Sequence, residues 1–219
     1  MFSDVPGDRM EVIASGPTVM DASRTADAAA VLAKYRLGAL PLVETPKDDR
    51  LFARVQNVLL VSNRVALEAM AAAARVRGYA PRIVTSTLTG EAREAAKRIV
   101  ADLRAAPAGS ALLYGGETTV TVRGCGRGGR NLELALAALG LVEDEELVLT
   151  LASDGHDNGE WAGAIADVAG RERARRAGLD PGRSLDDNDS YGYFAATGEW
   201  LKTGATGSNV ADLVLALKP

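Results

Sequence analysis

Three stretches of this 219-residue sequence carry residue types at spacings that chemistry could use. The first is Gly124-Cys125-Gly126-Arg127-Gly128-Gly129-Arg130-Asn131, which leads into a predicted helix. Its glycines permit backbone conformations that turn several N–H groups into one concavity, and the helix start adds partial positive charge. Arg127 and Arg130 can then fork onto a carboxylate or phosphate. The same residues also read as a turn capped by Asn131 with two solvated arginines. The stretch is not a Walker A loop, because G-x-x-x-x-G-K-[ST] occurs nowhere in the chain.

The second stretch, Ser153-Asp154-Gly155-His156-Asp157-Asn158, follows a predicted buried strand. Ligands of α/β sheets gather beyond the carboxyl ends of strands, where Asp154 and Asp157 could hold Mg2+, orient a hydroxyl or meet the arginines. Taken alone, Asp-Gly and Asp-Asn are ordinary turn pairs, and His156 reads as a turn or supporting residue. The third comprises Asn188-Asp189-Ser190-Tyr191 and a Gly/Thr/Ser loop at 203–209 that contains Thr206 and Asn209. Helix capping explains the former, and the latter offers hydroxyls and amides to an anion. The pairs Trp161 with Trp200 and Tyr191 with Tyr193 read as core or cleft wall rather than as a stacking platform.

The elements that must position these groups follow from periodicity. Residues 1–56 show no sustained strand pattern, carry four prolines, and contain one predicted helix at 23–35; they read as a connecting segment. From residue 57 a domain is expected to run to residue 219. It opens with a strand at 57–62, a helix at 64–77, a strand at 82–87 and a helix at 90–104. Such β-α-β-α alternation favours an α/β fold with a mixed, largely parallel sheet flanked by helices. Strands at 111–114 and 119–123 suggest a hairpin or bulged pair. A helix at 131–139, a strand at 147–153, a helix at 161–176, a helix through Tyr193 and Phe194, and a strand at 212–217 complete the pattern.

Composition narrows the function classes. A net charge of -4 gives no basic field for nucleic acid. No apolar run approaches the roughly 20 residues of a membrane helix. One cysteine, Cys125, excludes an internal disulfide framework, and a cytoplasmic location is the natural expectation. No G-x-G-x-x-G opens a helix after an early strand, which argues against a nicotinamide-dependent reductase.

Read in order, further stretches carry a resemblance that covers almost the whole chain. Ser3-Asp4-Val5-Pro6-Gly7-Asp8, Ile13-Ala14-Ser15-Gly16-Pro17-Thr18, Val61-Ser62-Asn63 and Gly90-Glu91-Ala92-Arg93 are successive landmarks. Gly115-Gly116-Glu117-Thr118-Thr119-Val120 and Gly128-Gly129-Arg130-Asn131-Leu132-Glu133 form the most recognisable block. Asp154-Gly155, Ala162-Gly163-Ala164 with Asp167, Asn188-Asp189-Ser190-Tyr191 and Thr206-Gly207-Ser208-Asn209-Val210 follow. The set resembles the C-terminal, MOFRL half of the class II glycerate 2-kinases, some of which are labelled hydroxypyruvate reductases.

The resemblance implies a MOFRL-type domain at 57–219 and a truncated kinase. Residues 1–56 would be a remnant of a first domain that carries a key lysine and much of the nucleotide site. It implies transfer of the γ-phosphate of ATP, with Mg2+, to the 2-hydroxyl of D-glycerate or a related hydroxy acid in an interdomain cleft. Asp154 and Arg130 would be catalytic, and Asp154 and Asp157 would hold the metal. Glu117, Thr118, Arg127, Asn131, Asn188, Tyr191, Thr206 and Asn209 would line the substrate site. After Asp157 the family's Gly-Pro-Thr type turn is replaced by Asn158-Gly159-Glu160-Trp161, one residue shorter, and Ala205 stands where proline is usual. These departures leave the identity of the hydroxy acid open. A separate N-terminal domain and a homo-oligomer are the partners this implies; a stand-alone anion-binding or interaction module without catalysis is the alternative.

Overall fold

A six-stranded sheet of order β1-β2-β6-β3-β4-β5 organises the computed structural model, which describes residues 1–143 and 145–219. The strands are β1 (Ala80–Leu88), β2 (Ser110–Gly116), β3 (Leu147–Ala152), β4 (Gly163–Asp167), β5 (Trp200–Leu201) and β6 (Asp212–Lys218). The helices are α1 (Thr25–Lys34), α2 (Asn63–Val76), α3 (Ala92–Ala105), α4 (Arg130–Leu139), α5 (Val168–Arg176), α6 (Pro181–Asp186) and α7 (Ser190–Thr197).

This is the mixed α/β sheet with flanking helices that the sequence implies, with one correction to the balance of pairings. Only β1 and β2 pair in parallel; every other neighbouring pair is antiparallel. β1, β2 and β3 do run the same way, as β-α-β-α-β alternation requires. The last strand, β6, enters between β2 and β3 in the opposite direction and replaces one parallel contact by two antiparallel ones.

Alternation along the strands divides the apolar side chains between two layers. Leu112, Tyr114, Val148, Val214 and Ala216 pack against Ile99 and Leu103 of α3 and Leu132, Leu136 and Leu139 of α4. On the other face Leu113 and Leu213 meet Leu67 and Ala71 of α2. Each fully buried leucine or isoleucine stabilises by about 1.5–3 kcal/mol, so the α3–α4 layer, with the longer list, holds the sheet.

Three local expectations are overturned. Residues 57–62 form no strand: the stretch makes one parallel bridge, Val61 to Phe2, and leaves Val58 and Leu60 exposed because no second strand lies beside it. Residues 119–123 are extended but unladdered, since β2 already has β1 and β6 on its two edges. There the Glu91 carboxylate replaces a strand partner, accepting from Thr121 N at 3.1 Å and Thr121 Oγ1 at 2.7 Å. The expected helix at 161–176 starts only at Val168, because 163–167 is β4. Its small residues serve close strand packing: a Cβ at Gly163 would overlap the Thr150 carbonyl. The short strand β5 and the helix α6 escaped the periodicity argument.

The entry to β6 is fixed from α2. Asn63, buried at the first turn of α2, donates through Nδ2 to Val210 O at 2.8 Å and to Asp212 O at 2.9 Å. Asn63→Ala removes both bonds from buried carbonyls, so a loss of about 1–3 kcal/mol is expected in denaturant unfolding at unchanged m-value. A loss below 0.5 kcal/mol would show that β6 is positioned without it.

Candidate functional site

The groups singled out from the sequence converge where β2 ends, β6 begins and α4 starts. Arg130 is the first residue of α4. Its Nε and Nη2 donate to the two oxygens of Asp212 at 2.6 and 3.1 Å, and Nη1 pairs with Glu117 at 2.8 Å. Asn131 is buried beside it and donates through Nδ2 to Asp212 Oδ1 at 2.9 Å and to Asp157 Oδ1 at 3.2 Å. Asp157, only 3% exposed, accepts the α4 backbone amides of Asn131 at 3.1 Å and Leu132 at 2.8 Å. A carboxylate from the β3–β4 loop therefore occupies the positive end of this helix.

Burial governs the acidities here. It pushes Asp157 up to about 6, against the lowering effect of the Leu132 and Asn131 amides and the Asn131 side chain. Burial also raises Asp212, although Arg130 opposes it. Burial alone would lower Arg130, but its hydrogen bonds to Asp212 and the charges of Asp212 and Glu117 outweigh that and raise it.

The glycine-rich segment is built differently from an anion cradle. Its glycines at 124, 126, 128 and 129 do not adopt positive φ. They are required by proximity: a Cβ at Gly124 or Gly126 would overlap the Asp187 backbone, and at Gly129 the Asp157 carboxylate. The amides are taken as well. Arg123 N and Gly124 N donate to Asn188 Oδ1 at 2.7 and 3.0 Å, Cys125 N to Asp187 Oδ1 at 2.9 Å, and Arg127 N to Asp189 Oδ1 at 3.1 Å. The α6–α7 turn thus holds the loop by its backbone, so the side chains rather than the amides face outward.

In front of this framework lies an open cleft of about 940 Å³. Of the residues singled out from the sequence, Glu117, Thr118, Arg127, Arg130, Asp157, His156 and Asn188 line it. Asn131 lies beneath, buried. Asp154 caps a turn, its Oδ1 accepting His156 N at 2.9 Å. Thr206 closes over that turn, donating through Oγ1 to Ser153 O at 2.6 Å, and Asn209 Oδ1 accepts Ala211 N at 2.9 Å; neither lines the cleft. Tyr191 stands behind the cleft wall, stacked on Trp161 with ring centroids 4.0 Å apart and 5.6 Å from Trp200. The aromatic residues do make a stack, which their spacing in the sequence did not reveal. The other feature unread from sequence is Asp212, quoted only as part of a motif; a lone acid opening an apolar strand was the available signal.

The donor set does not fit a magnesium ion. Both oxygens of Asp157 are occupied by N–H donors and Asp154 is turned to its own loop. Among the described residues no group of three or more His, Cys, Asp or Glu is arranged to hold a metal.

An α/β domain with a polar cleft at its strand tips is the class these features define. The family model described as "MOFRL family" matches residues 110–212, and one described as "Domain of unknown function (DUF4147)" matches residues 1–45. The chain is 38% identical to the D-glycerate 2-kinase of Thermotoga maritima over 99% of its own length and 55% of that protein's. It is 32% identical to a glycerate kinase of Macaca fascicularis, covering 100% of this chain and 72% of the relative. The crystal structure of glycerate kinase from Thermotoga maritima superposes with a TM-score of 0.91 at 36% identity, over 100% of this chain and 56% of that one. The chain belongs to the MOFRL-containing glycerate kinase family, and it spans about half the length of the bacterial member.

Asp157→Ala leaves two buried α4 amides without acceptors and is expected to cost about 2–3 kcal/mol in thermal unfolding. The pH dependence is specific. The folded-state value near 6 lies above the usual carboxylate value, so the stability contributed by protonated Asp157 is full below about pH 4 and is lost as pH rises through 6. Asp157→Asn cannot titrate, so the gap in melting temperature between wild type and this variant should narrow from pH 4 to pH 7. A gap that widens would refute the raised acidity constant.

Proposed function

We propose that this chain forms the acceptor-side wall of the cleft of an ATP-dependent glycerate 2-kinase and is inactive alone. On this reading residues 1–56 are a connecting segment to a first domain, and 57–219 is the MOFRL-type domain. The observation that carries it is the cleft itself, open on the side away from the Arg130–Asp212–Asn131–Asp157 framework and lined by Glu117, Thr118 and Arg127. Phosphoryl transfer rests on positioning and charge neutralisation, so one wall without the other loses most of the rate. ATP, with its magnesium, would bring the phosphoryl group from the other side, and D-glycerate or a related hydroxy acid would lie against this wall. No step is assigned to Asp154 or Asp157 as metal ligands, given their engaged oxygens.

The leading segment supports the same reading. α1 has no buried residue, and Tyr35, Leu37, Leu40, Val43, Leu51 and Leu60 are all exposed. Contiguous apolar surface of this kind marks a place where another domain packs.

Two outcomes are expected. With ATP, magnesium and D-glycerate, the isolated chain should give no phosphoglycerate in a coupled assay, and mixing with a purified first domain of a relative should restore turnover; turnover by the chain alone would refute incompleteness. In sedimentation velocity the chain should self-associate at micromolar concentration through its exposed leading segment. A clean monomer would mean that this surface is covered in some other way.

A further inference from the structure

The two cleft arginines are in opposite electrostatic states. Arg130 has its guanidinium divided between Asp212 and Glu117. Arg127, exposed on the cleft wall, makes no ion pair and no side-chain hydrogen bond among the described residues. Its guanidinium carbon instead sits 4.6 Å from the ring centroid of Tyr191 and 5.8 Å from that of Trp161. These rings belong to a stack of three, with Trp200 6.2 Å behind Trp161. A ring face attracts a guanidinium and fixes its place while taking none of its N–H donors. The donors are thus pre-positioned, and a ligand has less side-chain freedom to quench.

A second, independent group lies in the same wall. Trp161 is 4% exposed, lines the cleft, and its buried Nε1 has no hydrogen-bond partner. Buried donors in folded proteins are ordinarily paired, so an orphan beside an unpaired cation marks a place for an acceptor.

The charges around it are otherwise settled. Glu117 pairs with Arg130, Glu133 with Arg93 at 2.6 Å, Asp157 with the α4 amides, and Asp189 holds the Arg127 backbone. Carboxylates outnumber arginines in this region, so the cleft does not attract anions from a distance. Selection must act at contact.

We propose that Arg127, held against Tyr191 and Trp161, receives the anionic oxygens of the bound ligand, carboxylate or phosphate, and so makes this wall select acids over neutral polyols. This rests on the reading of the cleft as a substrate wall and divides the labour within it: Arg130 holds the framework, and Arg127 reads the ligand. Planar, bidentate acceptors suit a guanidinium better than an ammonium, so lysine should replace it only in part.

The chain's two tryptophans both belong to this stack, which makes intrinsic fluorescence a native reporter. At constant ionic strength, D-glycerate, inorganic phosphate and glycerol are titrated into the wild type and into Arg127→Met, Arg127→Lys and Tyr191→Leu, with calorimetry as a second readout. The expected result is saturable binding of glycerate, phosphate or both, and none of glycerol. Arg127→Met should weaken that binding at least tenfold at an unchanged melting temperature, since the residue is exposed. Arg127→Lys should fall between, and Tyr191→Leu, which removes a ring but no donor, should weaken it several-fold. Response to glycerate alone identifies a carboxylate site, and response to phosphate alone a phosphate site. Wild-type affinity retained by Arg127→Met, or equal binding of glycerol and glycerate, overturns the assignment to Arg127 while leaving the cleft reading intact. Absence of binding by the wild type to either anion overturns both.

Discussion

A buried carboxylate has to be paired where it lies, and Asp212, at the first residue of β6, is the one on which the rest of the site depends. Its two oxygens are met by the fork of Arg130 and by the Asn131 amide, both in the first turn of α4. Asn131 in turn reaches Asp157, whose carboxylate closes the amides of the same turn. Three segments far apart in the chain, near 130, 157 and 212, are thereby tied in one network. Each member satisfies another, so deletion of any one leaves a buried charge or donor exposed to the low-dielectric interior. The same network fixes which face of α4 meets the sheet and where the glycine-rich loop must pass to reach it.

That route explains the glycines. The loop is pressed between the α6–α7 turn and the Asp157 loop so closely that Cβ atoms do not fit, and its amides then fall within reach of Asp187, Asn188 and Asp189. Asn188 itself has φ of 54, a left-handed conformation that asparagine tolerates better than most residues. Its side chain accepts two loop amides and donates to the buried Glu133 at 3.3 Å. A tract that looks flexible by composition is a rigid wall because a neighbouring turn takes up its hydrogen-bonding capacity.

The sequence disclosed the helices well, because their signals are local. α2, α3 and α4 are periodic, and α2 starts at Ser62, whose hydroxyl accepts Val65 N at 3.4 Å. Strands were legible only where the pattern was strong, since a strand exists by virtue of its partners. Residues 57–62 have the composition of a strand without a neighbour, and 163–167 have the alanines of a helix but lie beside β3. The family landmarks located the cleft, and the order of their roles stayed hidden. Glycine spacing does not distinguish a need for positive φ from a need for proximity, and an arginine's type does not show whether its charge is free. Arg127 and Arg130 are three residues apart, and only coordinates show one on aromatic rings and the other on carboxylates.

The contrast between the two ends of the chain follows from the same physics. β2, β3 and β6 carry alternating apolar residues with helices on both faces, so their hydrogen bonds and side chains are satisfied within the sheet. The leading segment has one fully helical stretch, α1, with apolar residues on its surface and no layer to receive them. Its attachments to the sheet domain are few: Ser3 N donates to Val61 O at 2.8 Å and Leu60 N to Met1 O at 2.9 Å, while Pro6 reaches the cleft. Pro6 matters more than the others, because it brings the leading segment to the rim of the cavity that the Asp212 network supports. Whatever covers that exposed apolar surface would therefore also border the cleft, so packing on the leading segment and completion of the site are one structural event.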